Sequence, residues 1–252
     1  MSGFTVPADI LPTLIGVVVL AAVTTVVLMA FRVPAVWAPV RAIARGVVQL
    51  AVISVILTGI ISSPVWIAVA LCVMFTIAAS VATSRTGWSV RTAVMMTSSI
   101  AAGVALAGAI VFTTGALELT SRYALAIGAI VIGNAMTIAT LTGRMLTTAV
   151  VDHWDEVEGW LALGGTPRQS TIHMARRAVR DALIPSIDQT RTTGLVVLPG
   201  AFVGAIFGGI SPLEAGRFQI VVLAAIMAAG SLVAVLIATW MGDVRVKPQP
   251  VR

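Results

Sequence analysis

The sequence predicts an all-α polytopic integral membrane protein, and three observations predict it. The chain is 58% hydrophobic and only 10% charged, with a mean hydropathy of +1.03, where a soluble domain carries about 25% charge. A soluble core built from 252 residues cannot hide that much apolar surface. Apolar residues also come in charge-free runs long enough to cross a bilayer, which takes about 20 residues of helix. Charge is left to short loops and to one polar island, 152–189, which holds six of the ten acidic residues and both histidines.

Taken in order, the runs give about seven spans in a single permease domain, 1–252, with no internal repeat. The first is Ile10 to Phe31. Arg32 to Arg45 is basic and contains Pro34 and Pro39, which reads as an interfacial elbow. Gly46 to Ser84 is free of charge for 39 residues, enough for spans at 46–61 and 65–84 joined by a turn at Ser62-Ser63-Pro64. A fourth span is expected at 92–113, a fifth at 123–143, a sixth at 192–210 and a seventh at 218–241.

Orientation follows from the basic residues. With seven spans and the N-terminus outside, fourteen of the sixteen lie on the inner side, leaving only Arg122 and Arg217 outside. The expected location is therefore the inner (cytoplasmic) membrane, with the C-terminus and the polar island in the cytoplasm. The net charge of +6 belongs to these loops and does not point to nucleic acid. The N-terminus has Asp9 and no basic region, and its apolar run is too long for a cleaved signal peptide.

Helical signals organise the island. Asp152 is placed to cap a first helix, with Asp155 and Glu156 in its first turn and Trp154, Val157 and Leu161 on its apolar face. Gly164-Gly165 ends it. Thr166 then caps a second helix, with Pro167 at its first position and Gln169 closing a capping box. Arg177 and Asp181 are spaced to pair at i,i+4, and Pro185 ends or kinks the helix.

Catalytic signatures are missing. A phosphate-binding loop needs a lysine after its glycines, and the only lysine is Lys247 in the tail. Cys72 is the single cysteine, and His153 and His173 stand apart without a ligand pattern. The chain reads as a machine with no cofactor of its own and a helix pair to receive energy from outside.

Glu158 followed by Gly164 six residues on resembles the coupling motif of ABC transporter permeases, whose later isoleucine, leucine and proline do not fall at the expected offset here. The stretches LALGGTPRQS, ALIPSIDQTRTTGLVVLPGAFVGAIFGG and SPLEAGRFQI are similar to the FetB-type permease family, as are Arg41-Ala42-Ile43, Gln49-Leu50 and Gly133-Asn134-Ala135-Met136. That family is linked to iron export and has plant relatives linked to aluminium tolerance. The resemblance implies a homodimeric permease working with a separate ABC ATPase subunit, which would bind ATP and Mg, and a metal ion as cargo. Coupling would fall to Asp155, Glu156, Glu158, Leu161, Gly164 and Gly165, with an ordinary solvated helix face as the alternative for the acids.

Six residues are candidates for the cargo path or gate. The amides of Gln49 and Asn134 lie in apolar spans, where bonding across helices is the alternative role. Met136, with Met95 and Met96, could line a soft-metal path or fill gaps between helices. Asp188 is expected at the cytoplasmic entrance, or as a helix cap. Pro199-Gly200 is expected to break the sixth span and so form a gate, or simply to kink it. Arg176, Arg177 and Arg180 read as anchors to anionic headgroups. Two other classes remain open: an ion- or proton-coupled carrier, for which intramembrane carboxylates are scarce, and a non-transporting receptor or assembly protein.

Overall fold

The computed structural model describes residues 10–60 and 63–248, and the side chains of these except at 10 and 55–60. Helices form wherever the apolar runs lie, because a backbone inside lipid must satisfy its own hydrogen bonds. The chain divides into two compact units, Met1–Ser62 and Ser63–Arg252. The first contains α1 (Ile10–Ala30) and α2 (Ala38–Ile60), packed as a hairpin. Its turn closes back on α1 through Arg32 N–H to the Met29 carbonyl (3.0 Å) and Val33 N–H to that of Leu28 (3.0 Å). The expected elbow is therefore a tight turn, and Arg41 and Arg45 stand in the first half of α2.

The second unit contains α3 (Pro64–Thr86), α4 (Val90–Thr113), α5 (Ser121–Asp152), α6 (Trp154–Ala162), α7 (Pro167–Thr192), α8 (Gly200–Phe207) and α9 (Pro212–Met241). Side chains cap the long helices: Ser89, Thr120 and Ser211 accept from the N–H groups of Thr92, Tyr123 and Glu214. Five helices among the described residues, α1, α3, α4, α5 and α9, are long and apolar enough to cross a membrane. The protein is an all-α polytopic membrane protein.

Neighbouring contacts set the direction of each helix. Leu71 of α3 meets Gly128 of α5, and Thr86 meets Gly143, so these two run parallel. Ile138 of α5 meets Gly230 of α9, while Leu146 and Ala238 share a buried cluster, so these two also run parallel. Gly103 of α4 meets Ala229 and Val233, and Met95 lines a groove with Trp240 and Met241, so α4 runs against α9. On α7, Thr171 bonds Gly242 and Leu183 lies beside Gly230, twelve residues apart on each helix in opposite senses. Thus α7 also runs against α9, climbing the bundle from the end where α6 lies.

Packing is close because small residues face one another. A β-carbon on Gly103 would stand 2.8 Å from the Ala229 carbonyl oxygen and 2.6 Å from a Val233 methyl. Lipid tails are as apolar as leucine, so helices here associate through such contact, not through escape from water. Three buried clusters run up the bundle: around Val150 and Val157, around Met96 and Ile100, and around Val131 and Ile226.

The structure corrects several sequence expectations. Asp152 ends α5 instead of capping α6; α5 continues unbroken because nothing in Gly143–Asp152 stops it, and His153 alone separates the two helices. Of the two outcomes expected at Pro185, the helix does not end there; α7 runs seven residues past it to Thr192. Asp181 pairs with its neighbour Arg180 at 3.0 Å, where Arg177 had been expected. The stretch 192–210 is not one helix. A turn at 193–199 separates α7 from α8, whose eight residues rise only about 12 Å. Helix α7 has already risen along α9 before that stretch begins. Ser62 of the expected turn, and Arg252 among the counted basic residues, lie outside the described residues.

Candidate functional site

The polar island forms a platform at the end of the bundle. Val157 is wholly buried against Leu146, Val150 and Met174, which pins α6 beneath α5 and α7. Asp155, Glu156 and Glu158 are exposed, as are Trp160 and Leu163, while Leu161 is half-buried against the same cluster. Helix α6 ends where Gly164 takes φ +85, with its N–H bonded to the Leu161 carbonyl and that of Gly165 to the Trp160 carbonyl. Gly165 packs over Trp160, where a β-carbon would meet the carbonyl oxygen at 2.8 Å.

Thr166 then starts α7 with the expected capping box. Its Oγ1 accepts from the Gln169 N–H, and its own N–H donates to Gln169 Oε1 (2.8 Å). Five residues on, the buried Thr171 Oγ1 donates to the Gly242 carbonyl at 2.7 Å. The platform is thereby tied both to α5 and to the end of α9. Its acidic face is exposed, and its packing and hydrogen bond join it to two long helices.

The path candidates are dispersed differently. Gln49 is exposed on α2 of the first unit. Met136, with Met95 and Met96, packs into the core among α3, α4, α5 and α9, as gap-filling methionines do. Asn134 is half-buried on α5, its Nδ2 donating to the Ile130 carbonyl at 2.9 Å, which leaves Oδ1 to accept or to ligate. Pro199 is the N-cap residue of α8 and Gly200 its first residue, so they begin a helix and do not interrupt one. The backbone before them bonds to itself, Gly194 N–H to the Val197 carbonyl at 2.9 Å.

Asp188 is the residue most displaced from expectation. It does not cap a helix; it lies inside α7, exposed, with Arg191 Nη1 3.9 Å from its Oδ1. Among the described residues no group of three His, Cys, Asp or Glu could hold a metal ion.

The match to known proteins spans nearly the whole chain. Residues 11–245 fit the model of UPF0014, an uncharacterised protein family. The chain belongs to this family. UPF0014 membrane protein STAR2 of Oryza sativa subsp. japonica is 39% identical over 197 residues, 77% of this chain and 69% of that protein. Protein ALUMINUM SENSITIVE 3 of Arabidopsis thaliana is 36% identical over 186 residues, 73% and 68% of the two chains. A probable iron export permease protein, FetB of Escherichia coli (strain K12), is 30% identical over 192 residues, 75% and 74%. No solved structure matches this UPF0014 chain.

Two features of this UPF0014 member escaped sequence reasoning. Gln219 stands near the start of α9, yet it is only 5% exposed and its Oε1 has no hydrogen-bond partner among the described residues. Its spacing to Val222, Leu223 and Ile226 was the available signal. Nothing in the sequence announces the Thr171–Gly242 bond, which joins residues 71 positions apart.

Proposed function

We propose that this UPF0014 chain is the membrane-spanning permease subunit of an ABC transporter, working as a homodimer with a separate ATPase and exporting a metal cation, iron. The cargo is taken from the FetB relative's name, a probable iron export permease protein. The observation that carries the coupling role is the platform: three exposed acids and the exposed Trp160 on α6, with Leu163 exposed at its end, a helix pinned by Val157 and followed by α7, which Thr171 clamps to the end of α9. ATP closure of the motor dimer would move α6, and the rigid α7 would carry that displacement up the bundle. The insert end is cytoplasmic in this reading, the N-terminus is outside and the membrane is the inner one, following the positive-inside bias. No ATP, Mg or other cofactor is held by this chain; both belong to the partner.

Glu158→Lys tests the reading. It reverses a charge offered to the motor without touching the buried Val157. The expected result is a folded permease that no longer couples: basal ATP turnover of the purified complex persists, and metal efflux from cells falls about tenfold or more, equivalent to about 1.4 kcal/mol or more of lost coupling. Wild-type efflux in this variant would remove α6 as the coupling element.

A further inference from the structure

We propose that the groove between α5 and α7 is a water-filled cation path through the membrane, and that Asp188 with Asn134 forms its station at mid-depth. The proposal rests on the permease reading but not on the ATPase or on iron in particular.

Depth comes from register. Ile138, Leu183 and Gly230 meet at one level. Five residues further up α7, and five back along α5, come Asp188 and Gly133, because the two helices are antiparallel and rise equally, about 1.5 Å per residue. Gly133 is the centre of the charge-free run Tyr123 to Gly143 on α5. That run is bounded by Arg122 at one end and Arg144 at the other, and Arg217 and Glu214 stand at the matching far end of α9. Asp188 therefore lies level with the middle of the charge-free run of α5 and, beside α9, between Arg217 and Asp243 but nearer Arg217. Among the described residues no other carboxylate does.

Direction comes from the groove itself. Asp181 lines it together with Leu141, Arg144 and Met145 of α5. Asp188 is two turns further along the same stripe of α7, and Thr137 and Gly133, both exposed, continue the stripe of α5 above Leu141. Asn134 stands beside Gly133, with its Oδ1 free of the bond that its Nδ2 makes.

An exposed ion pair at this depth cannot face acyl chains; such groups face a cavity that holds water or a solute. The oxygens of Asp188 and Asn134 suit a hard or borderline cation. Arg191, 3.9 Å from Asp188, is the counter-charge of the empty station. A cation displaces the guanidinium on entry, and the guanidinium returns as the cation leaves, so the carboxylate is never left unpaired.

Cysteine labelling tests both parts. Cys72 is the only cysteine, so Cys72→Ala supplies a blank background. Single cysteines replace Asp181, Thr137 or Asp188 along the groove, and Ile220 or Val235 on exposed surface of α9 as controls. A membrane-impermeant methanethiosulfonate is expected to modify the groove positions at least tenfold faster than the controls. Groove positions as unreactive as Ile220→Cys would overturn the water-filled path. Ferrous or manganous ion alone is expected to slow labelling at Thr137→Cys several-fold. Adding Asp188→Asn should abolish that protection and Asp188→Glu should keep it. Protection unchanged in Asp188→Asn, or given by phosphate and not by the metal ions, would overturn the cation station. None of these readouts involves ATP, so failure of the coupling reading leaves them interpretable.

Discussion

At the residue scale, the turn between α6 and α7 depends on single backbone and hydroxyl groups. Gly164 holds φ +85, which an L side chain adopts only at a cost of about 1–2 kcal/mol. Gly164→Leu should therefore lower thermal stability by roughly that amount, read as a fall in melting temperature of the detergent-solubilised protein. Thr166→Ala removes one partner of the capping box and should cost about 1 kcal/mol by the same measurement. An unchanged melting temperature in both would mean that the turn is not ordered by these groups. Asp188 and Arg191 obey a different rule. On an insertion scale each charge costs about 2.5–3.5 kcal/mol at a bilayer centre. A chain keeps such residues where water or a partner receives them.

At the element scale, α7 joins two tasks that the sequence had assigned to separate segments. Its lower half is part of the polar platform, and its upper half rises beside α9 ahead of the stretch expected as a sixth span. Pro185 costs α7 one backbone hydrogen bond, and the burial of Ala182 and Ser186 on the same stretch holds the helix on past it. Small residues then let α4 lie against α9. Gly103→Ala places a methyl 2.8 Å from a backbone oxygen that cannot rotate away. The expected loss is about 1–3 kcal/mol of bundle stability, with efflux reduced in proportion to folded protein. Full stability in this variant would show that the two helices are looser than their contact implies.

At the scale of the whole molecule, the helix directions make a definite topology. The insert and the C-terminal end of α9 share one end of the bundle, tied by Thr171 and Gly242. Ser211 to Glu214 lies at the other, since α9 runs from there. Thr171 is itself fully buried and unsuitable for labelling. In the Cys72→Ala background, Gln169→Cys should react with an impermeant reagent only from the cytoplasmic side, and Leu213→Cys only from outside. The reverse pattern would invert the orientation and end the coupling proposal.

Much of this architecture was legible in the chain before any coordinates. Hydropathy determined the membrane class and marked seven runs, five of which are long apolar helices among the described residues, and local signals determined the capping box at Thr166 and the glycine stop at Gly164, because each depends on local composition or on groups within four residues. Tertiary structure decided the rest. Whether Pro185 ends a helix depends on what packs against it, and the Ala182 and Ser186 face of α7 is buried in the bundle. Whether 192–210 crosses as one helix depends on where α7 has already climbed. Asp188 reads as a helix cap or an entrance residue while the helix is thought to stop before it; only the packing that carries α7 on to Thr192 puts it inside a helix. Local signals report hydrogen bonds along the chain, but depth is set by side-chain packing between helices far apart in sequence.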